Sequence, residues 1–321
     1  MNYFCSMKRT VGCIFLLITG IAAVSSFITP APITTKAALG KKLFNDKILS
    51  KDNSISCASC HLPEYGFSDT TAFSKGIEGR ATTRNTPSVL NMKNRPYFFW
   101  DGRAASLEQQ ALMPISHPDE MGLPIKEAVA RLNASSEYRQ LFLRIFKTLP
   151  NSGNLAAAFA AFERTLETDS SRFDAYMDDL IAFTESEERG RKLFISDKTK
   201  CFDCHRGPDF TDDQFKNIGL FDGYALNDSG RYLITRKKED LGKFKTPGLR
   251  NIALTAPYMH NGMFQTLEEV VEYYNNPGAF VLNPINMDST LAEPLSLNKQ
   301  EKADLVAFLK TLTDKRFQKQ R

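Results

Sequence analysis

The chain has 321 residues, 42% hydrophobic and 24% charged side chains, and a formal net charge of +4. That is the composition of a globular protein long enough for two ordinary domains, and it excludes a disordered or wholly membranous chain. Lys8 and Arg9 supply two of the positive charges, and the small remainder gives no argument for nucleic acid as a partner.

The first readable element is a leader over residues 1–28. Lys8 and Arg9 form a positive start, Val11 to Val24 an apolar run, and Ala22, Ala23, Ser25 and Ser26 a small-residue close ahead of Thr29-Pro30-Ala31-Pro32. It reads as a secretory signal peptide or an uncleaved N-terminal anchor. The apolar run is shorter than the ~20 residues of a spanning helix, which favours cleavage and places the protein in the periplasm.

A helix pattern, Leu39-Gly40-Lys41-Lys42-Leu43-Phe44, then leads into Cys57-Ala58-Ser59-Cys60-His61. The same order returns as Arg189-Gly190-Arg191-Lys192-Leu193-Phe194 ahead of Cys201-Phe202-Asp203-Cys204-His205. Each C-x-x-C-H run matches covalent c-type haem attachment: two thiols add to the porphyrin vinyl groups and the histidine reaches the iron. The competing reading is a zinc or redox C-x-x-C pair beside an unrelated histidine. The same histidine offset in both copies speaks for haem. Cys5 and Cys13 fall in the leader, so no thiol is left for a disulfide.

Between and beyond these runs the pattern is helical. Residues 105–113, 124–134, 136–147, 154–167 and 171–183 carry helical spacing, with Asn154 as the expected cap of the fourth. Thr266-Leu267-Glu268-Glu269 opens a helix through Tyr274, and Asn298 caps one from about Lys299 to Leu312. Long loops over 62–100 and 206–258 have the composition of segments that wrap a cofactor. The fold class is all-α: two cytochrome-c-like haem domains related by duplication, over 29–183 and 184–321.

Further motifs carry a resemblance. Arg84-Asn85-Thr86-Pro87-Ser88-Val89-Leu90-Asn91, Phe99-Trp100-Asp101-Gly102-Arg103, Pro114 with Glu120-Met121-Gly122, and Phe162-Glu163-Arg164-Thr165-Leu166 appear in order. Lys245-Thr246-Pro247-Gly248-Leu249-Arg250-Asn251 and Thr255-Ala256-Pro257-Tyr258-Met259-His260-Asn261-Gly262 follow. Together they resemble the bacterial dihaem cytochrome c peroxidases and MauG-type enzymes across residues 36–315. The resemblance implies a peroxidatic first haem and an electron-transferring second haem. It makes Glu120 the distal carboxylate and Gln110 the group that orients it or a water, while Pro114 keeps the sixth iron position clear. Trp100 is implied as a relay between the haems; a lone Trp is otherwise more often a packing residue. A calcium ion is implied at the side chain of Asn85 and the carbonyls of Thr255 and Pro257.

Two departures stand out. Many dihaem peroxidases carry a histidine about sixteen residues past the first C-x-x-C-H, capping the peroxidatic iron, but none occurs between Leu62 and Arg84. The first haem is therefore expected open as isolated, with His117 read as a loop histidine. Where standard peroxidases place a methionine ligand on the second haem, the count from His260 reaches Tyr274, as in MauG-type enzymes. Met259, Met263 and Met287 are the alternatives, with Tyr273 and Tyr274 then packing a helix. His260 is read as a structural residue near that haem.

The leading function is peroxide reduction. The partners are then hydrogen peroxide and a small electron donor (a cytochrome c or a cupredoxin), with a homodimer left open. The alternatives are a MauG-like oxidase acting on a partner protein and a plain dihaem electron-transfer cytochrome.

Overall fold

Short polar side chains start the helices where the apolar periodicity begins. Thr35 accepts from the Ala38 amide, Ser106 from Gln109 and Thr266 from Glu269, each at 3.1 Å, and Asn298 accepts from Glu301 at 2.9 Å. Each cap satisfies a donor that the first helical turn leaves unpaired. The computed structural model describes Met1 and residues 32–317; apart from Met1, the leader expected over residues 1–28 lies outside the described residues.

The first half holds α1 (Lys36–Asn45), α2 (Leu107–Ser116), α3 (Ile125–Ala134), α4 (Ser136–Phe146) and α5 (Ser152–Glu163). The second holds α6 (Arg172–Met177), α7 (Glu185–Phe194), α8 (Cys201–Cys204), α9 (Tyr232–Thr235), α10 (Leu267–Asn275) and α11 (Lys299–Lys310). Among the described residues the only strands are β1 (Phe215–Lys216) and β2 (Phe244–Lys245), an antiparallel pair with Phe215 opposite Lys245. The fold is thus all-α in class. None of its described helices is long and apolar enough to cross a membrane.

Several helix bounds differ from the expected ones, three of them with a clear local cause. α2 runs through Pro114 to Ser116, because the proline removes only the bond to the Gln110 carbonyl and the His117 amide still reaches Met113 at 3.0 Å. Asn151, not Asn154, caps α5; the two side chains and amides bond reciprocally, at 3.0 and 2.8 Å. The helix expected to Phe183 stops at Met177, where Asp179 adopts a φ of 57° and the Leu180 amide turns back to Ala175.

The duplication is written into the packing. α1 lies across α5 and α7 across α11. Both crossings are closed by the glycine of the repeat: a Cβ on Gly40 would lie 2.0 Å from the Ala158 carbonyl oxygen, and one on Gly190 would lie 1.9 Å from that of Asp304. Leu39, Leu43, Phe44, Leu155 and Phe159 fill the first core; Phe194, Leu305, Phe308 and Leu309 fill its counterpart.

A second relation holds at a constant step of 160 residues, from Thr86 to Thr246. Asn91 and Asn251 both take left-handed backbone, as do Phe99 and Met259. Phe98 bridges Ala104 as Tyr258 bridges Phe264. The Asn85 amide donates to the His260 carbonyl at 2.7 Å, and the Lys245 amide to the Trp100 carbonyl at 2.7 Å. The halves are related by approximate two-fold symmetry, with Trp100 and His260 as mates.

Candidate haem and peroxide site

The two C-x-x-C-H runs open into one cavity of about 670 Å³. In both, the histidine is held from behind. His61 Nδ1 lies 3.0 Å from the Phe67 carbonyl and His205 Nδ1 3.0 Å from that of Phe210. A carbonyl only accepts, so each Nδ1 carries the proton and each Nε2 is left free. Burial depresses the basicity of both rings, keeping them neutral. The residues that hold them repeat as well: Phe67-Ser68-Asp69 and Phe210-Thr211-Asp212 follow the two runs. Both phenylalanines have positive φ, and Ser68 and Thr211 donate to the Thr86 and Thr246 carbonyls at 2.6 and 2.7 Å. The sequence reading missed these carbonyls, although the repeated Phe-Ser/Thr-Asp was available as a signal.

The four cysteines are unpaired and line the cavity. Burial pushes every thiol up, Cys60 and Cys201 to about 11 and Cys57 and Cys204 in the same direction. Such thiols are poor redox nucleophiles. Among the described residues no three His, Cys, Asp or Glu side chains are grouped to hold a metal ion. Paired thiols and free imidazole nitrogens on the walls of an apolar cavity fit covalent haem at both runs.

Above the first run, α2 and the turn after it bring Gln110, Pro114, His117 and Glu120 to the cavity wall. The approach depends on Gly76, where a Cβ would meet the Asp119 and Glu120 carbonyl oxygens at 2.1 and 2.7 Å. The Gln110 side-chain oxygen is buried with no hydrogen-bond partner among the described residues. Burial raises the Glu120 carboxyl above the ordinary value of 4.5, against the pull of His117 and Arg103. His117 is half-exposed, accepts from the Asp119 amide at 3.3 Å, and places Nδ1 3.8 Å from Glu120 Oε1. Glu163, which the sequence showed only inside a longer motif, also lines the cavity. It is 5% exposed, and its charge acts on Cys57.

Over the second run, α10 brings Tyr274 to the cavity, close enough to Cys201 and Cys204 for their charges to act on its phenol. Burial pushes that phenol up, and its hydroxyl makes no hydrogen bond among the described residues. Tyr273 differs: it is fully buried and its hydroxyl donates to the Ile218 carbonyl. Of the methionine alternatives Met259 lines the cavity, whereas Met263 and Met287 do not. Tyr274 and Pro114 are separated by the same step of 160 and stand at matching places on α10 and α2.

Trp100 lies on the cavity wall and donates its indole N–H to the Asn85 carbonyl at 2.8 Å, edge-on to His260 with ring centroids 6.5 Å apart. His260 stacks on Phe244 at 3.7 Å, and burial lowers it to about 4. Asn85, Thr255 and Pro257 share the wall. Asn85 Nδ2 donates to the Thr71 and Ala72 carbonyls at 3.2 and 3.3 Å. Its side-chain oxygen and the Thr255 and Pro257 carbonyls accept no hydrogen bond among the described residues. An all-oxygen set with free lone pairs suits a hard cation such as calcium.

The comparisons agree with this geometry. Residues 34–180 match the family model for di-haem cytochrome c peroxidase and residues 187–313 that for cytochrome c. The chain is 40% identical to the methylamine utilization protein MauG of Methylorubrum extorquens, over 88% of this chain and 79% of that protein. It is 36% identical to the cytochrome c551 peroxidase of Nitrosomonas europaea, over 92% and 86%. A solved MauG-like protein associated with microbial copper homeostasis superposes with a TM-score of 0.79 at 37% identity, over 88% of this chain and 90% of that one. The chain belongs to the dihaem cytochrome c peroxidase and MauG family.

Proposed function

We propose that the protein is a periplasmic dihaem c-type peroxidase that reduces hydrogen peroxide to two waters with two electrons and two protons. The electrons come singly from a small cytochrome c or cupredoxin. The carrying observation is the asymmetry of the two distal faces. At the position where α10 presents the hydroxyl of Tyr274, α2 presents Pro114, which offers the iron no ligand and leaves the space open. The haem at His61, when bound, supplies the iron at which the peroxide O–O bond is cleaved. Glu120 takes the proton from the near oxygen and returns it to the leaving one. Gln110 orients that carboxylate or a water, and Pro114 keeps the iron's sixth position free. Cys201, Cys204 and His205 would hold the second haem with Tyr274 facing it as candidate ligand, and Trp100, between the two runs, would relay the electrons that haem supplies. The Asn85 side chain and the Thr255 and Pro257 carbonyls would hold a calcium ion. The two haem units are residues 29–183 and 184–321, preceded by the leader over residues 1–28. Peroxidase-named relatives support this reading.

A second reading is a MauG-like oxidase acting on a residue of a partner protein. Tyr274 and the MauG-named relatives favour it. Reduced cytochrome c mixed with peroxide separates the two. The first reading expects rapid turnover with two donors oxidised per peroxide. Slow turnover with a long-lived two-electron-oxidised state would favour the second.

A further inference from the structure

Arg95 and Lys245 meet in the cavity wall in a way that no step above uses. Arg95 crosses from the first half to bond Asp209 and, at 2.8 Å, Asp213. These acids flank Phe210, whose carbonyl holds His205. Lys245 is 9% exposed, and its ammonium pairs loosely with Asp213 Oδ1 at 3.6 Å. Arg95 Nε is buried without a hydrogen-bond partner, and Asp213 Oδ1 is buried with only the Lys245 ion pair. The Arg95 Nε donor thus borders the cavity without an acceptor, beside the Lys245 ammonium, whose one ion-pair partner is Asp213. A buried donor left unpaired is costly, so an acceptor belongs there.

We propose that Arg95 and Lys245 form the seat for a propionate carboxylate of the haem bound at His205, and that their charge holds up that haem's reduction potential. The duplication supports the placement. Lys245 stands one step of 160 from Asn85, and Arg95 one step from Thr255. The pair Lys245 and Arg95 therefore puts fixed side-chain cations where its duplicated mate, Asn85 and Thr255, offers oxygens suited to a metal ion. The donor set, two cations on a scaffold of acids, matches a carboxylate that accepts from both. Burial pulls the Lys245 ammonium down and Asp213 pushes it back, so an added anion also keeps the lysine charged. The proposal rests on haem attachment and is independent of peroxide turnover.

The test is redox titration of the haem-loaded protein, following each haem by its own spectrum. Lys245→Met should lower the second haem's potential by about a tenfold change in its oxidised-to-reduced ratio, ~59 mV for one electron. Arg95→Gln should move it the same way, and Lys245→Arg should hold it within about threefold of wild type. The first haem should stay put. If Lys245→Met does not retain both haems, Arg95→Gln and Lys245→Arg carry the test. A second-haem ratio within twofold of wild type in the neutral variants, or a larger shift at the first haem, would overturn the proposal.

Discussion

Pro114 and Tyr274 occupy the same place on the duplicated helix, each the eighth residue after its capping hydroxyl, Ser106 and Thr266. One scaffold therefore presents a ligand-free ring to the cavity in the first half and a phenol in the second. If the phenol ligates, Tyr274→Phe should abolish the low-spin EPR signal of the second haem, or shift it strongly, and leave the first unchanged. An unaltered second-haem signal would return the ligand to Met259.

The neighbour of Glu120 makes a separate prediction about pH. Glu120 acts as a base only when ionised, and burial raises it above 4.5 while His117 lowers it. Activity should fall as pH drops through that raised value. In His117→Asn the opposing pull is gone, so the acid limb of the kcat/KM profile should move to higher pH. A limb that stays in place, or moves down, would dissociate the pair.

Gly40 and Gly190 test the duplicated crossing. A methyl at either position would lie 2.0 or 1.9 Å from a carbonyl oxygen of the facing helix, far inside van der Waals contact. Gly40→Ala and Gly190→Ala should each cost about 1–3 kcal/mol in denaturant unfolding. Equal stability to wild type in either variant would mean that the helices separate freely.

Glu163 predicts a stability that depends on pH. Its carboxyl is pushed up to about 8 by burial, against Arg164, from an ordinary 4.5. Between those values the folded chain holds a proton that the unfolded chain has lost, so the folded state is progressively disfavoured as pH rises through this window. Glu163→Gln cannot ionise. It should melt close to wild type near pH ~5 and roughly 3–8 °C above it near pH ~8. Parallel melting curves at both pH values would show that Glu163 has a partner for its charge.

Much of this was legible in the sequence because it rests on local chemistry. C-x-x-C-H states its own cofactor, and the caps Thr266 and Asn298 start the helices they were expected to start. Asn154 was misplaced because two asparagines three residues apart satisfy either register until the reciprocal bond to Asn151 decides it. The helix from 171 fell short because its spacing persists where the backbone turns at Asp179. Glu163, Arg95 and Lys245 stayed hidden for another reason. Their chemistry comes from burial and from contacts across the halves, such as Arg95 with Asp213, 118 residues apart, which no local pattern encodes.

On the proposed function, Glu120 carries the proton transfer at an open first haem. The most direct measurement is steady-state kcat/KM for hydrogen peroxide with a reduced small cytochrome c, for wild type and Glu120→Gln with both haems attached. The variant should lose roughly 10²–10⁴-fold. Turnover within a few fold of wild type would contradict it.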